Sequence, residues 1–229
     1  MIERLINSPK PVLLVGGGDV LPADITQVLE TVDAVVAADS GADVLMGMGV
    51  IPDAVIGDMD SISPEVRAAL PAGCVHHIAE QDTTDFDKCL RNINAPLILA
   101  LGFLGARIDH QLAVLTVLSR RPDQRIMLVG QSDIVAICPP NLELDLPPAT
   151  RVSLFPMGAV TGRSEGLRWP IDGIDFAPNG TVGTSNEATG PVRLQMDGPD
   201  MVIILPAEYA EVLKSALLDA PDTWPVRAR

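Results

Sequence analysis

The fold of this chain follows from the stretch PVLLVGGGDVLPADITQVLETVDAVVAADSG, residues 11–41. Its two apolar runs, PVLLV (11–15) and AVVAA (34–38), predict strands that are buried on both faces. The residues from Pro22 to Glu30 predict a helix between them. A strand, a helix and a second strand in this order indicate a parallel sheet with helices on its faces.

The same alternation continues along the chain. Ser63-Pro64-Glu65 predicts a helix start, because serine caps the helix, proline suits its first turn and glutamate suits its positive end. Thr84-Asp85-Phe86-Asp87 has the spacing of a capping box, with Asp87 in the place of the usual Glu. Further strands are predicted at AVI (54–56), PLILAL (96–101), RIMLVG (125–130) and DIVAIC (133–138). We therefore predict that residues 1–140 form an α/β domain around a doubly wound, mostly parallel sheet.

The sequence changes character after Cys138. PPNLELDLPPAT (139–150) contains four prolines, which is typical of a linker. Short apolar runs separated by Gly, Pro, Asn and Asp turns follow and predict an all-β domain. These runs are RVSLFPM, GAVTGR, PVRLQM and MVIILP. We predict a small β-sandwich over residues 150–229 with a C-terminal helical tail, because residues 207–219 return to helical spacing.

Composition excludes several classes of protein. The formal net charge of −14 argues against a nucleic-acid surface, which needs clustered positive charge. The N-terminus has no apolar signal core, and no apolar run reaches the roughly 18 residues that a membrane span needs. The three cysteines show no metal-ligand spacing and are predicted to be core residues with reduced thiols. We expect a cytoplasmic protein that binds neither nucleic acid nor membrane.

Aspartates follow several of the predicted strands. Asp39, Asp58 and the 102–109 loop come after strand ends, and parallel sheets bind ligands beyond the carboxyl ends of their strands. Asp58-Met59-Asp60 would point two carboxylates the same way if the backbone is extended there. Mg²⁺ is typically held by one or two carboxylates together with substrate phosphates. Any single aspartate fits a turn or a cap, but six after successive strands favour a site. The six are Asp39, Asp58, Asp60, Asp82, Asp85 and Asp109.

Neighbouring polar and glycine residues fit the same interpretation. Arg107 can hold a phosphate through two hydrogen bonds and His110 can donate one. Taken alone, each residue is explained better by a surface ion pair for Arg107 and a helix cap for His110. Gly16-Gly17-Gly18 allows the backbone to approach a phosphate. The sequence has no P-loop and no complete dinucleotide fingerprint, so the glycines alone are a weak signal.

The β-rich half offers a different set of side chains. Ser185 and Asn186, together with Trp169, would suit a flat heterocycle. A tight turn and one core or edge aromatic explain the same three residues.

Taken in order, these segments resemble the thiamine pyrophosphokinase family from about residue 12 to residue 204. The resemblance rests on ADSGADVLMGMGVIPDAVIGDMDS, DTTDFDKCL, LGFLGARIDHQLA, SLFP, GLRWP and TSNE. It implies an N-terminal nucleotide-binding catalytic domain and a C-terminal thiamine-binding β-sandwich. It further implies a homodimer that holds thiamine between its subunits. The implied reaction transfers diphosphate from Mg-ATP to the hydroxyl of thiamine and gives thiamine diphosphate and AMP.

The resemblance also implies a role for each candidate residue. Mg²⁺ and the phosphates would lie among Asp58, Asp60 and Asp85, which with Asp109 form the catalytic set. The ATP site would be framed by Asp82, Arg107, Asp109 and His110, with Asp39 at the cleft floor. Thiamine would contact Ser185, Asn186 and, with less support from the motif, Trp169.

The chain departs from the family pattern at two positions. Gln81 stands where many relatives have lysine, so a phosphate contact would fall to Arg107 or Lys88. The triplet GAR replaces the more usual GGR. Three other functions stay open: a related diphosphokinase acting on a pterin alcohol, a non-catalytic nucleotide sensor, and an acidic protein with no site.

Overall fold

The computed structural model describes residues 4–105 and 107–227, which form two compact units. The first unit contains the residues up to Val117 together with Leu128–Gln131. The second contains Leu118–Met127 and the residues from Ser132 onward.

The first unit is built from short helices and strands that alternate along the chain. Its helices are α1 (Pro22–Leu29), α2 (Gly41–Gly47), α3 (Pro64–Ala69), α4 (Asp85–Asn92) and α5 (Ile108–Arg120). Its strands are β1 (Ile6–Asn7), β2 (Val12–Val15), β3 (Ala34–Ala38), β4 (Ala54–Gly57), β5 (Val75–His77), β6 (Ile93–Asn94), β7 (Ile98–Leu101) and β8 (Ile126–Val129). The end of α5 from Leu118 onward and the start of β8 up to Met127 are counted with the second unit.

The main sheet of this unit has the order β8-β7-β2-β3-β4-β5. The neighbours from β7 to β5 pair in parallel, so their carboxyl ends meet at one edge of the sheet. Every residue of β2, β4 and β7 is buried, as continuous apolar runs predict for strands covered on both faces. A separate parallel pair of β1 and β6 was not predicted, because two residues carry no periodic signal.

Two helices of this unit start where their capping residues predicted. The Ser63 side chain accepts a hydrogen bond from the Val66 backbone N–H at 3.3 Å, and α3 begins at Pro64. The Thr84 side chain accepts one from the Asp87 N–H at 3.3 Å, and α4 begins at Asp85. The cap at Thr84 places Asp85 at the first position of α4.

The second unit is antiparallel. Its strands are β9 (Asp133–Ile137), β10 (Asn141–Leu144), β11 (Arg151–Pro156), β12 (Gly162–Leu167), β13 (Gly183–Met196) and β14 (Met201–Pro206). They follow the order β10-β13-β11-β14-β9, and β12 also pairs with β13. A 3-10 turn (Ala207–Tyr209) and α6 (Ala210–Asp219) follow. The predicted fold class, a parallel α/β domain followed by a β domain, is confirmed.

Strand β13 is much longer than the predicted run PVRLQM. Its first half pairs with β11, with Asn186 opposite Val152. Its second half lies between β10 and β12, with Leu194 opposite both Leu142 and Ser164. The first half was not predicted, because TSNEATG lacks the apolar alternation of a strand.

Other details also differ from the sequence prediction. The proline-rich stretch 139–150 contains β10, because Leu142, Leu144 and Leu146 alternate toward the core. The run GAVTGR is extended only from Gly162.

All three cysteines are buried and free, as predicted. None of the helices in the described part of the chain has the length and apolar character needed to cross a bilayer.

Candidate active site

A pocket of about 520 Å³ lies in the first unit at the carboxyl ends of its parallel strands. Its walls come from the loops that follow β2, β3, β4 and β7 and from the first turns of α4 and α5. This is the position at which open α/β sheets bind ligands. The carboxylates at these strand ends therefore share one cavity with the glycine-rich loops.

Three carboxylates lie close together at the edge of this pocket, which Asp39 and Asp58 line. One oxygen of each of Asp39, Asp58 and Asp60 lies within 4.8 Å of the others. For Asp58 and Asp60 to point the same way, the sequence argument required an extended backbone at Met59. The backbone there is instead left-handed, with φ of 63°. Asp39 is also left-handed, with φ of 43°. Because L-residues rarely adopt this conformation, local contacts must hold both turns in place.

Two oxygens of this cluster lack a donor. Among the described residues, Asp39 Oδ1 and Asp58 Oδ1 are buried and have no hydrogen-bond partner. Asp39 is only 3% exposed, and burial raises its pKa to about 6, although its Oδ2 accepts a hydrogen bond from the Ser61 N–H at 3.1 Å. Buried polar atoms without a partner are costly. An all-oxygen set with bare oxygens fits a hard divalent cation such as Mg²⁺.

The opposite oxygen of Asp58 has partners. Gln81 Nε2 donates to Asp58 Oδ2 at 2.9 Å, and Lys88 Nζ lies 3.7 Å from the same oxygen. Burial acts to raise the pKa of Asp58, but the Gln81 hydrogen bond, the Lys88 charge and the neighbouring Asp60 together outweigh it, and the pKa lies below its ordinary value. The two oxygens of Asp58 thus differ: one is held and the other is bare.

Lys88 is the charge that balances this side of the pocket. Its side chain is 1% exposed, and Nζ donates to Asp85 Oδ1 at 2.9 Å. Burial acts to lower the pKa of Lys88, but the Asp85 hydrogen bond and the nearby carboxylates raise it overall, so the lysine is charged. Asp85, predicted as a metal ligand, is therefore ion-paired with Lys88 beside the three-carboxylate cluster.

The glycines that follow β2 and β7 bring two loops into backbone contact. A methyl group on Gly16 or Gly18 would approach the Gly102 carbonyl oxygen to 2.8 or 2.6 Å. Gly102 itself has φ of 78°. Side chains at these positions would force the loops apart. The sequence predicted that these glycines let the backbone approach a phosphate. The structure shows that they are also needed for the two loops to meet and form the pocket wall.

The predicted nucleotide residues on the 102–110 loop occupy its outer part. Arg107 and His110 line the pocket, and Arg107 donates to Asp109 Oδ2 at 2.6 Å. The Arg107 hydrogen bond lowers the pKa of Asp109 to about 2. Asp82 and Asp109 are exposed and lie outside the pocket walls that the described residues form.

The three residues predicted to contact thiamine lie together in the second unit. Asn186 is 6% exposed: Oδ1 accepts from the N–H groups of Trp169 and Glu187, and Nδ2 donates to the Trp169 carbonyl at 2.7 Å. Ser185 has φ of 61°, and its N–H donates to Ser153 Oγ at 3.0 Å. Trp169 is 51% exposed, with the Arg168 guanidinium 4.8 Å from the centroid of its ring. Asn186 therefore fixes the backbone that presents an open aromatic ring.

Two contacts of the site were not predicted. Sequence reasoning considered Lys88 only as a phosphate ligand, although its position three residues after Asp85 on a helix predicts an ion pair. Gln81, which the family pattern marks as the loss of a basic residue, is a hydrogen-bond partner of Asp58. The pocket also contains Phe86 and Phe103, whose ring centroids are 4.5 Å apart.

Known proteins match both units. The family model described as thiamin pyrophosphokinase, catalytic domain, matches residues 25–129. Thiamine pyrophosphokinase 1 of Oryza sativa subsp. japonica is 34% identical over 154 residues, 59% of this chain and 58% of the relative. Thiamine pyrophosphokinase of Bacillus subtilis is 26% identical over 189 residues, 76% of this chain and 87% of the relative. The chain thus spans less than two thirds of the length of the plant relatives it matches.

Solved structures agree on the fold. The crystal structure of yeast thiamin pyrophosphokinase superposes with a TM-score of 0.74 and 16% identity, covering 93% of this chain and 90% of that one. At this identity the match shows the architecture alone: a parallel α/β part followed by an antiparallel β part.

Proposed function

We propose that this chain is a thiamin pyrophosphokinase, which transfers diphosphate from Mg-ATP to the hydroxyl of thiamine. The products are thiamine diphosphate and AMP. Relatives that carry this activity in their names support the proposal. We further propose a homodimer, with thiamine held by residues from the 150–229 region.

The observation that carries the proposal is the pair of bare carboxylate oxygens. Asp39 Oδ1 and Asp58 Oδ1 are buried, unpartnered and close to an oxygen of Asp60. A cation held by these residues would neutralise phosphate charge in a pocket with few positive side chains. A magnesium ion supplies such neutralisation during phosphoryl transfer when it is bound.

Each side chain then has a defined task. Asp39, Asp58 and Asp60 hold the cation. Asp85, which we predicted as a third ligand, is at the edge of this group and paired with Lys88. One of these carboxylates accepts the proton of the attacking hydroxyl.

The outer residues bind and orient the nucleotide. Arg107, at the mouth of the pocket, exchanges its Asp109 partner for a phosphate, which a guanidinium can hold through two hydrogen bonds. His110 donates to the same group. Holding the diphosphate in line between the incoming hydroxyl and the departing AMP supplies much of the rate enhancement, because positioning dominates such transfers.

On the acceptor side, Trp169 is 51% exposed, its backbone is fixed by Asn186, and the Arg168 guanidinium lies 4.8 Å from its ring centroid. A flat, cationic heterocycle such as thiamine suits the exposed ring, because an aromatic ring attracts a cation. Ser185 lies beside Asn186 on the same strand. A pterin alcohol lacks that positive charge, which is why we favour thiamine.

The test is AMP release from Mg-ATP by purified protein with and without thiamine. We expect thiamine-dependent AMP and an equal amount of thiamine diphosphate. If AMP is released with a hydroxymethyl pterin but not with thiamine, the acceptor is a pterin alcohol and not thiamine. ATP-dependent thermal stabilisation without AMP from either alcohol would indicate a nucleotide sensor and contradict the proposal.

A further inference from the structure

The two oxygens of Asp58 have opposite environments. Oδ1 is buried and has no hydrogen-bond partner among the described residues. Oδ2 accepts a hydrogen bond from Gln81 Nε2 at 2.9 Å and lies 3.7 Å from Lys88 Nζ. A carboxylate held on one oxygen can no longer rotate freely. Its other oxygen then points in a fixed direction.

The two groups that hold Oδ2 come from different segments and differ in burial. Lys88 is on α4, is almost completely buried, and also pairs with Asp85 at 2.9 Å. Gln81 is exposed on the segment between β5 and α4. An exposed hydrogen bond contributes little to the stability of a fold, so the Gln81 contact is expected to matter for direction rather than for folding.

We propose that Gln81 and Lys88 are positioning residues that clamp Oδ2 of Asp58 so that Oδ1 is presented to the divalent cation. This inference rests on the proposed function only for what the cation does, which is to neutralise phosphate charge. The orientation of Asp58 by Gln81 and Lys88 does not depend on that function. It gives Gln81 a role in the metal site instead of a role as a missing phosphate ligand. Lys88 likewise gains a role beside these carboxylates, because it donates to Asp85 at 2.9 Å and lies 3.7 Å from Asp58.

The magnitude follows from what such partners do in metal sites. Groups that orient a ligating side chain typically change metal affinity by 10–100-fold when they are removed. Lys88 also repels a neighbouring cation, so removing its charge alone would tighten binding. A positioning role and a purely electrostatic role of Lys88 therefore predict opposite signs.

The decisive experiment measures Mn²⁺ affinity of the full chain by titration calorimetry, without ATP or thiamine. Gln81→Met keeps the length of the side chain and removes the donor, and we expect about tenfold weaker Mn²⁺ binding. Gln27→Met, the same change at an exposed position on α1, should leave the affinity unchanged. The metal-free melting temperatures of both variants should match that of the native chain.

Lys88→Met extends the test to the buried partner. If this variant folds, Mn²⁺ binding at least tenfold weaker agrees with the clamp, whereas tighter binding would show that Lys88 acts only as a repelling charge. If Lys88→Met does not fold, the Gln81 variant decides alone. Native Mn²⁺ affinity in Gln81→Met would overturn the inference.

These readouts separate the clamp from the proposed reaction. A native chain that releases no AMP with thiamine, but whose Mn²⁺ affinity falls in Gln81→Met, would refute the function and keep the clamp. Normal thiamine turnover of the native chain, together with unchanged Mn²⁺ affinity in Gln81→Met, would refute the clamp and keep the proposed function.

Discussion

Two buried polar side chains, Asp39 in the first unit and Asn186 in the second, differ in how they are satisfied. Asp39 is 3% exposed and keeps one oxygen without a partner among the described residues. Asn186 is 6% exposed, and both its oxygen and its nitrogen are hydrogen-bonded. Because an unsatisfied buried group costs stability, it is retained where a ligand completes it. The first unit thus carries an incomplete polar cluster, and the second a completed one.

The largest effect is expected at the incomplete cluster. Asp60→Asn removes an exposed carboxylate that shares the cation site, so we expect thiamine-dependent AMP release to fall by about 10–100-fold or more. The variant should stay folded, because Asp60 is exposed. Asp175→Asn, an exposed change in the second unit, is the matched control. Near-normal turnover of Asp60→Asn at saturating Mg²⁺ would remove Asp60 from the site.

A second prediction concerns the pH dependence of stability without metal. The pKa of Asp39 is raised to about 6, from an ordinary value of 3.8, mainly by burial. The folded chain therefore binds a proton more tightly than the unfolded chain, and its free energy of unfolding falls as pH rises from about 4 to about 6. Asp39→Asn cannot ionise, and asparagine tolerates the left-handed backbone at this position.

In EDTA at pH 8 we therefore expect Asp39→Asn to be more stable than the native chain by about 1–3 kcal/mol, measured by urea unfolding. The gain should vanish at pH 4, where the native carboxyl is protonated. Added Mg²⁺ should stabilise the native chain more than the variant. Loss of stability at pH 8 without metal would show that Asp39 is a structural residue.

At the completed cluster around Asn186, a substitution should lower the stability of the chain, whereas Asp39→Asn should raise it in the absence of metal. Asn186→Ala leaves the Trp169 backbone groups and the Glu187 N–H without their partner, so we expect a loss of about 1–3 kcal/mol in the free energy of unfolding. Mn²⁺ affinity should stay native, since the metal site belongs to the first unit. Asn179→Ala, at an exposed turn position, is the control. A stable Asn186→Ala with impaired thiamine use would instead make Asn186 a direct ligand.

The smallest effect is expected on the surface of the second unit. Arg168 lies over Trp169 and donates to Glu187 at 2.8 Å, but both of its partners are exposed or half-buried. Arg168→Ala should change the free energy of unfolding by less than about 1 kcal/mol. A change above about 2 kcal/mol would mean that this stack contributes to the fold and would weaken the contrast between surface and buried groups.

Much of the first unit follows from its sequence alone. Continuous apolar runs predict β2, β3, β4 and β7, because strands buried on both faces need apolar side chains at every position. The caps at Ser63 and Thr84 predict the starts of α3 and α4. The sequence also assembles the aspartates, since the carboxyl ends of parallel strands meet at one edge.

The second unit was predicted in kind but not in detail. The first half of β13 has a weak pattern, because its pairing depends on neighbours distant in the chain, and the alternating leucines of β10 lie within a proline-rich stretch that is typical of a linker. Long-range pairing can stabilise a strand whose own residues do not favour one. The sequence thus predicted an all-β domain, and tertiary pairing decided its strand lengths.

Sequence by itself determined the residue types of the site: carboxylates after successive strands, glycines where loops must close, and one lysine on the helix that begins at Asp85. Only the tertiary structure decided which partner each of these side chains has. It gave Met59 a left-handed turn, paired Asp85 with Lys88, and left one oxygen each of Asp39 and Asp58 bare. The physical reason is that the direction of a carboxylate depends on its partners, and those partners come from segments that only folding brings together.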